Sequence, residues 1–205
     1  MTTTARDFAP SVQSLARLCP MPTVQAEVLS AAIEFCRRSL VWKYTSVNDI
    51  VAGTSLYTLD VPDHSAVGAI EGVAAFGATL LPRVALWPSD GAAAKVPVYY
   101  VMDPDKKLLV YPEPTEDGAD ELVVHTALEP THNAETLPDF LIQQHKAAIV
   151  SGAAAAVLSM VGQPWANPQL ALYHMRNFKS EIAKVRIATI RSSSVGTISI
   201  ASDEL

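Results

Sequence analysis

Cysteine is almost missing from this chain. Cys19 and Cys36 are too few for a disulfide framework and match neither a zinc-ligand nor a CxxC redox spacing. A reducing compartment, with both thiols as core filler, is the expectation. Basic residues are also scarce: 15 Lys and Arg stand against 21 Asp and Glu, a formal charge of -6. That balance argues against tight, sequence-independent clamping of nucleic acid, which depends on cations neutralising phosphates. It leaves mere proximity to DNA open. Catalytic signatures are lacking too, because GxGxxG, the GxxxxGK phosphate loop, the GxSxG elbow and HExxH are all absent. The N-terminal MTTTARDFAP has no apolar core before a cleavage site, so no secretory signal is expected.

A long apolar run is missing as well. Between Lys146 and Arg176 there is no Asp, Glu, Lys or Arg, but the mainly apolar part, Ala147 to Val161, falls short of the roughly 20 residues that a spanning helix needs. It is rich in alanine and is followed by Gly162, Pro164 and Pro168, so a buried helical hairpin is expected rather than a membrane span. What the chain does have is apolar content: 49% of its side chains, enough for one sizeable core or two small lobes.

Residues 1–22 are polar, hold three prolines and read as an extended arm with at most a short helical turn. Thr23 can cap a first helix through TVQAEVLSAAIEFCRRSLVW, where Val24, Val28, Ala32 and Phe35 repeat at helical spacing. From residue 53 the period becomes two. GTSLYTLDVP, AVGAIEGVAAFG, TLLPRVAL, VPVYYVMD, KKLLVYPEP and ELVVHTAL read as short strands, with a hairpin turned by Asp103, Pro104, Asp105 and Lys106. Helical period returns at LPDFLIQQHKAAIVSGAAAAVLSMVG, with Gly162 as the expected C-cap. Asn167 and Pro168 then open a last helix that runs to about Ile190.

The fold class is therefore α+β: a helical core from one N-terminal helix and a C-terminal antiparallel hairpin, interrupted by an antiparallel β meander or small sandwich. The expected domains are an arm at 1–22, a helical core at 23–50 and 131–190, an inserted β domain at 51–130, and a C-terminal arm at 191–205.

Candidate chemistry is thin, and no catalytic or metal site is assigned. His125, Glu129 and His132 are metal-binding residue types, but HTALEPTH leaves a strand and runs through Pro130, so nothing fixes a tetrahedral geometry. Glu113, Glu116, Asp117, Asp120 and Glu121 form a loop that is either solvated or an acidic docking surface. Small residues at Ala148, Gly152 and Ala156 let helices approach closely, within one subunit or between subunits, and Trp165 in the linker joins them as a possible interface residue. Arg176, Lys179, Lys184, Arg186 and Arg191 make the last helix basic. They are either a solvated face suited to the helix dipole or a contact for DNA or a partner.

The order of FCRRSLVW, GTSLYTLDVP, VPVYYVMDPDKKLLVYPEP and the hairpin from Leu137 to Phe178 resembles phage head-to-tail adaptor proteins. These are also called connector, neck or tail accessory proteins and are related to tail tubular protein A of short-tailed phages. The resemblance covers roughly residues 23 to 190. It implies a structural virion protein, not an enzyme, that forms a dodecameric ring beneath the portal protein. Such a ring extends the DNA channel and receives a downstream tail or nozzle protein, while double-stranded DNA passes without sequence specificity. It implies assembly in the host bacterial cytoplasm, no membrane partner and no cofactor. Ser192, Val195, Ile198, Ile200 and Leu205 would belong to a portal-docking arm, with the edge at Ile198 to Ile200 able to extend a partner's sheet. A nucleic-acid-binding module using the basic end of the last helix, and a virion-associated enzyme, are the alternatives.

Overall fold

The computed structural model describes residues 3–82, 93–103 and 105–193. The chain folds as two compact units, one of Met1–Val41 with Glu135–Leu205, the other of Trp42–Ala134. The fold is α+β.

The helical unit holds α1 (Ala5–Gln13), α2 (Met21–Ser39), α3 (Asp139–Leu158) and α4 (Pro168–Ser193). At its centre lies α3, which packs against each of the other three. Ala148, Ile149, Gly152, Ala153, Ala154, Ala155, Val157 and Leu158 are all buried, so the uncharged stretch is a helix enclosed on nearly every side. Its C-cap is Ser159, not Gly162, which instead takes a φ of 80° in the turn that follows. The start of α4 matches its sequence signals: Asn167 Oδ1 accepts the Leu170 N–H at 3.1 Å and Pro168 is the first helical residue.

Two elements depart from expectation. The segment read as an extended arm instead forms α1 over Ala5–Gln13, which buries Phe8, Ala9 and Val12. Pro10 lies inside α1 and removes a helical donor at a cost of about 3 kcal/mol or more. Full burial of Phe8 and Val12 contributes about 1.5–3 kcal/mol each, enough to offset a cost of that size. Thr3 ties this segment down: its N–H and hydroxyl donate to Asp139 Oδ1 at 3.1 and 2.6 Å, and its carbonyl accepts the Leu137 N–H at 2.8 Å. Next, α2 starts at Met21 rather than at Thr23, with Pro20 at the N-cap and Pro22 in the first turn, where a missing N–H costs nothing. It ends at Leu40 in the left-handed region, φ 56°.

The β unit contains β1 (Lys43–Ile50), β2 (Leu56–Tyr57), β3 (Ser65–Ala75), β4 (Ala78–Thr79) and β5 (Leu81–Pro82). It continues with β6 (Ala93–Ala94), β7 (Tyr99–Met102), β8 (Leu108–Tyr111), β9 (Glu113–Pro114) and β10 (Gly118–Pro130). Residues 43–50, grouped with the helices on sequence, are thus a strand. One sheet runs β1-β10-β3-β4 and a second β2-β8-β7-β5, and β6 pairs with β9. Pairing is mostly antiparallel, but β10 lies between β1 and β3, and β5–β7 and β6–β9 are parallel, so the connectivity is not a plain meander. Ile50, Val67, Val73, Leu122, Val124 and Leu128 from the first sheet share one core with Tyr100, Leu108 and Val110 from the second. The hairpin of β7 and β8 turns through Lys106, φ 64°, whose N–H donates to the Asp103 carbonyl at 2.9 Å. Pro104, and the 83–86 part of TLLPRVAL, lie outside the described residues.

Candidate functional site

Helix α4 is 26 residues long, about 39 Å at 1.5 Å per residue, and most of its surface faces solvent. Ala171, Phe178 and Ile182 form its buried stripe. Leu172, Tyr173, Ile187 and Ile190 stand elsewhere on it at 52%, 58%, 52% and 51% exposure. Arg176, Lys179, Lys184, Arg186 and Arg191 are exposed among them, and Glu181 is the helix's one carboxylate.

These five cations are not equivalent. Lys184 Nζ donates to Glu181 Oε1 at 2.6 Å on the same helix. Arg186 Nη1 donates at 2.8 Å to the Arg38 carbonyl in the last turn of α2, where helical carbonyls lack a partner of their own. Arg38 in turn pairs with Glu34 at 2.8 Å. Arg186 is therefore a brace within the unit rather than a free contact. Arg176 and Lys179 are exposed and have no ion pair among the described residues. Of the docking-arm residues, Ser192 lies in the last turn of α4, and Val195, Ile198, Ile200 and Leu205 lie outside the described residues.

The small-residue stripe of α3 faces inward. A Cβ built on Gly152 would meet Ala31 Cβ and the Phe178 ring at 3.0 Å, so this position is already filled by α2 and α4 and is not open to another subunit. Ala148 is buried, and Ala156 borders a cleft of about 130 Å³ with Glu27, Glu34, Met175 and Phe178. Trp165 sits in the α3–α4 connection, its indole N–H buried and without a partner. It lines a recess of about 330 Å³ with Leu15, Arg17, Leu18 and Pro164. Apolar surface surrounds this end of the unit, with Leu18 at 68% and Val161 at 91% exposure.

A model of the SU10 adaptor protein family matches residues 3–199. The chain belongs to that family. Its members are phage head-to-tail adaptors, so this adaptor is a structural phage protein of the virion that works with other phage head and tail proteins. No curated protein matches the chain.

In the adaptor's β unit the metal-binding residue types His125, Glu129 and His132 do not converge. His125 and Glu129 are four residues apart on β10, about 13 Å along an extended strand. The His125 ring nitrogen Nδ1 lies 3.0 Å from the Thr45 hydroxyl, Glu129 is buried and His132 lies exposed beyond the strand. Among the described residues no three His, Cys, Asp or Glu side chains are placed to hold a metal ion. No helix among them is long and apolar enough to cross a membrane.

The acidic loop is more ordered than a solvated run. Asp117 Oδ1 accepts the Ala52 N–H at 2.8 Å, Asp49 Oδ1 accepts the Asp120 N–H at 2.9 Å, and Glu116 pairs with Lys95 at 2.8 Å. The adaptor's charge is sorted between its units. Residues 42–134 carry thirteen Asp and Glu against five Lys and Arg, whereas the remainder carries ten basic residues against eight acidic ones. That partition is readable from the sequence once the boundaries are known, and the whole-chain charge of -6 conceals it.

Proposed function

We propose that this adaptor forms a dodecameric ring beneath the portal protein, extends the DNA channel and provides the attachment site for a tail or nozzle protein. The observation that carries this reading is the outer surface of α4, where four large apolar side chains stay about half exposed along one helix. Large apolar side chains left half in water on one helix support an interaction surface there, and membership of the adaptor family supports a head-to-tail assembly as what covers it. The acidic balance suits the same role, since a channel wall with few free cations holds DNA phosphates weakly and lets the duplex slide. The adaptor acts in this reading by assembly and not by catalysis, with no cofactor, and is built into particles in the host cytoplasm. The residues from Ser192 onward serve as the portal-docking arm. The test is co-purification with the portal protein of the same phage: a stable mixed complex supports the reading, and a monomer that never binds a portal removes it.

Nucleic-acid binding through α4 is the second reading, and the unpaired Arg176 and Lys179 favour it. It predicts DNA affinity that falls steeply with salt and is lost in an R176A/K179A variant. Affinity unchanged in that variant removes it.

A further inference from the structure

We propose that the exposed face of α4 is covered in the assembled particle by the acidic β unit of a neighbouring copy of this chain, which docks through Asp49 and Asp117. This rests on the ring reading and assigns its contact. A closed ring of identical subunits needs two different, mutually complementary surfaces on each copy, since head-to-tail contacts generate the ring. The chain supplies such a pair.

The first surface is α4, with Arg176 and Lys179 unpaired among the described residues between Leu172 and Ile187. The second lies where the end of β1 meets the start of β10. There Asp49, Ile50, Val51, Asp117, Gly118 and Ala119 line an open, shallow recess of about 340 Å³. Val47 and Val51 beside it are half exposed, so it presents apolar surface next to negative charge, the complement of α4.

The two carboxylates are held in place before any partner arrives. Each commits one oxygen to a backbone N–H, from Asp120 and from Ala52, and keeps the other for an incoming cation. Groups oriented in advance lose less freedom on binding, which favours them as docking points. Neither is in an ion pair among the described residues, whereas Glu71 and Glu116 of the same unit are paired with Lys43 and Lys95. Opposite charges on the two surfaces would also fix the direction of assembly, since α4 against α4 and β unit against β unit repel.

A charge swap in the full chain, assembled with its portal and weighed by mass photometry, tests the contact. R176E/K179E is expected to lower the ring population by about tenfold or more. D49N/D117N, which keeps the oxygens that accept the backbone N–H groups, is expected to weaken the ring in the same direction with an unchanged melting curve. Combining R176E/K179E with D49K/D117K is expected to restore part of the rings lost in either charge-reversed protein, and fewer than the wild type forms, because lysine cannot accept the Ala52 and Asp120 N–H groups. Rings that tolerate R176E/K179E, or a loss that no β-unit substitution reproduces or rescues, overturn the contact while leaving the ring reading intact. A wild-type chain that forms no ring removes that reading and the contact together. Loss of DNA retention by R176E/K179E with the ring unchanged assigns α4 to DNA and overturns the proposal.

Discussion

Gly152 of α3 lies directly against the Phe178 ring of α4: a Cβ there would stand 3.0 Å from ring atoms Cε2 and Cζ, and also 3.0 Å from Ala31 Cβ on α2. Gly152→Ala gains about 1 kcal/mol of helix propensity but pays about 1–3 kcal/mol in overpacking. A net loss of about 1 kcal/mol is expected, lowering Tm by about 2–4 °C. Gly152→Leu adds three more carbons to the same filled space and is expected to disrupt folding outright. A thermal melt checks both, and an alanine variant that melts higher than the wild type contradicts this packing.

The N-terminal segment is anchored through Asp139, which accepts from both the backbone and the hydroxyl of Thr3. Asp139→Ala leaves the buried Thr3 N–H unpartnered and is expected to cost about 1–3 kcal/mol. Hydrogen exchange across α1 is the measurement. Faster exchange in α1 together with a lower Tm is expected, and unchanged protection contradicts the anchoring.

How much of this was legible in the sequence follows from what each signal depends on. Asn167 and Pro168 announced the start of α4 because cap chemistry is local, and the β7–β8 hairpin followed from its turn residues. The helix α1 was hidden by Pro10: its stability comes from burying Phe8 and Val12 against other helices, which no local pattern records. Residues 43–50 alternate only weakly, and β1 exists because β10, some eighty positions later, supplies its hydrogen bonds. Among the site residues, the five cations of α4 were visible as a group. That Arg186 is spent on the Arg38 carbonyl and Lys184 on Glu181 is a tertiary and rotameric fact.

Acid should weaken the helical unit through two histidines. His145, between Phe35 and Phe140, and His174 each bury a ring nitrogen with no partner. Burial pushes both imidazoles below their ordinary value of 6.5, with Glu181 partly opposing this at His145. The unfolded chain takes up these protons from about pH 6.5 downward while the folded chain does so only at lower pH, so this stability is complete above that value and is lost as pH falls through the folded values. Burial pushes the Glu27 carboxyl up, which acts in the opposite sense and is common to every variant compared. Melts at pH 7.5 and 5.5 should show a larger drop in Tm for the wild type than for H145Q/H174Q. Equal drops contradict the assignment.

Arg186 and the Arg176–Lys179 pair should separate stability from assembly. Arg186→Ala removes a charged donor from the Arg38 carbonyl and is expected to cost about 1 kcal/mol with binding to partners retained. R176A/K179A touches no internal ion pair and is expected to leave stability within about 0.5 kcal/mol of the wild type while weakening assembly. Melting curves and complex mass, measured on the same samples, check the pair, and the reverse pattern contradicts it.

The most direct test of the adaptor reading is electron microscopy of this chain co-expressed with the portal protein of its own phage. A closed ring of this chain seated on the portal, with α4 of each copy covered by its neighbour and a channel running through the centre, is the predicted result. A portal that remains bare beside monomeric, stably folded chain would contradict it.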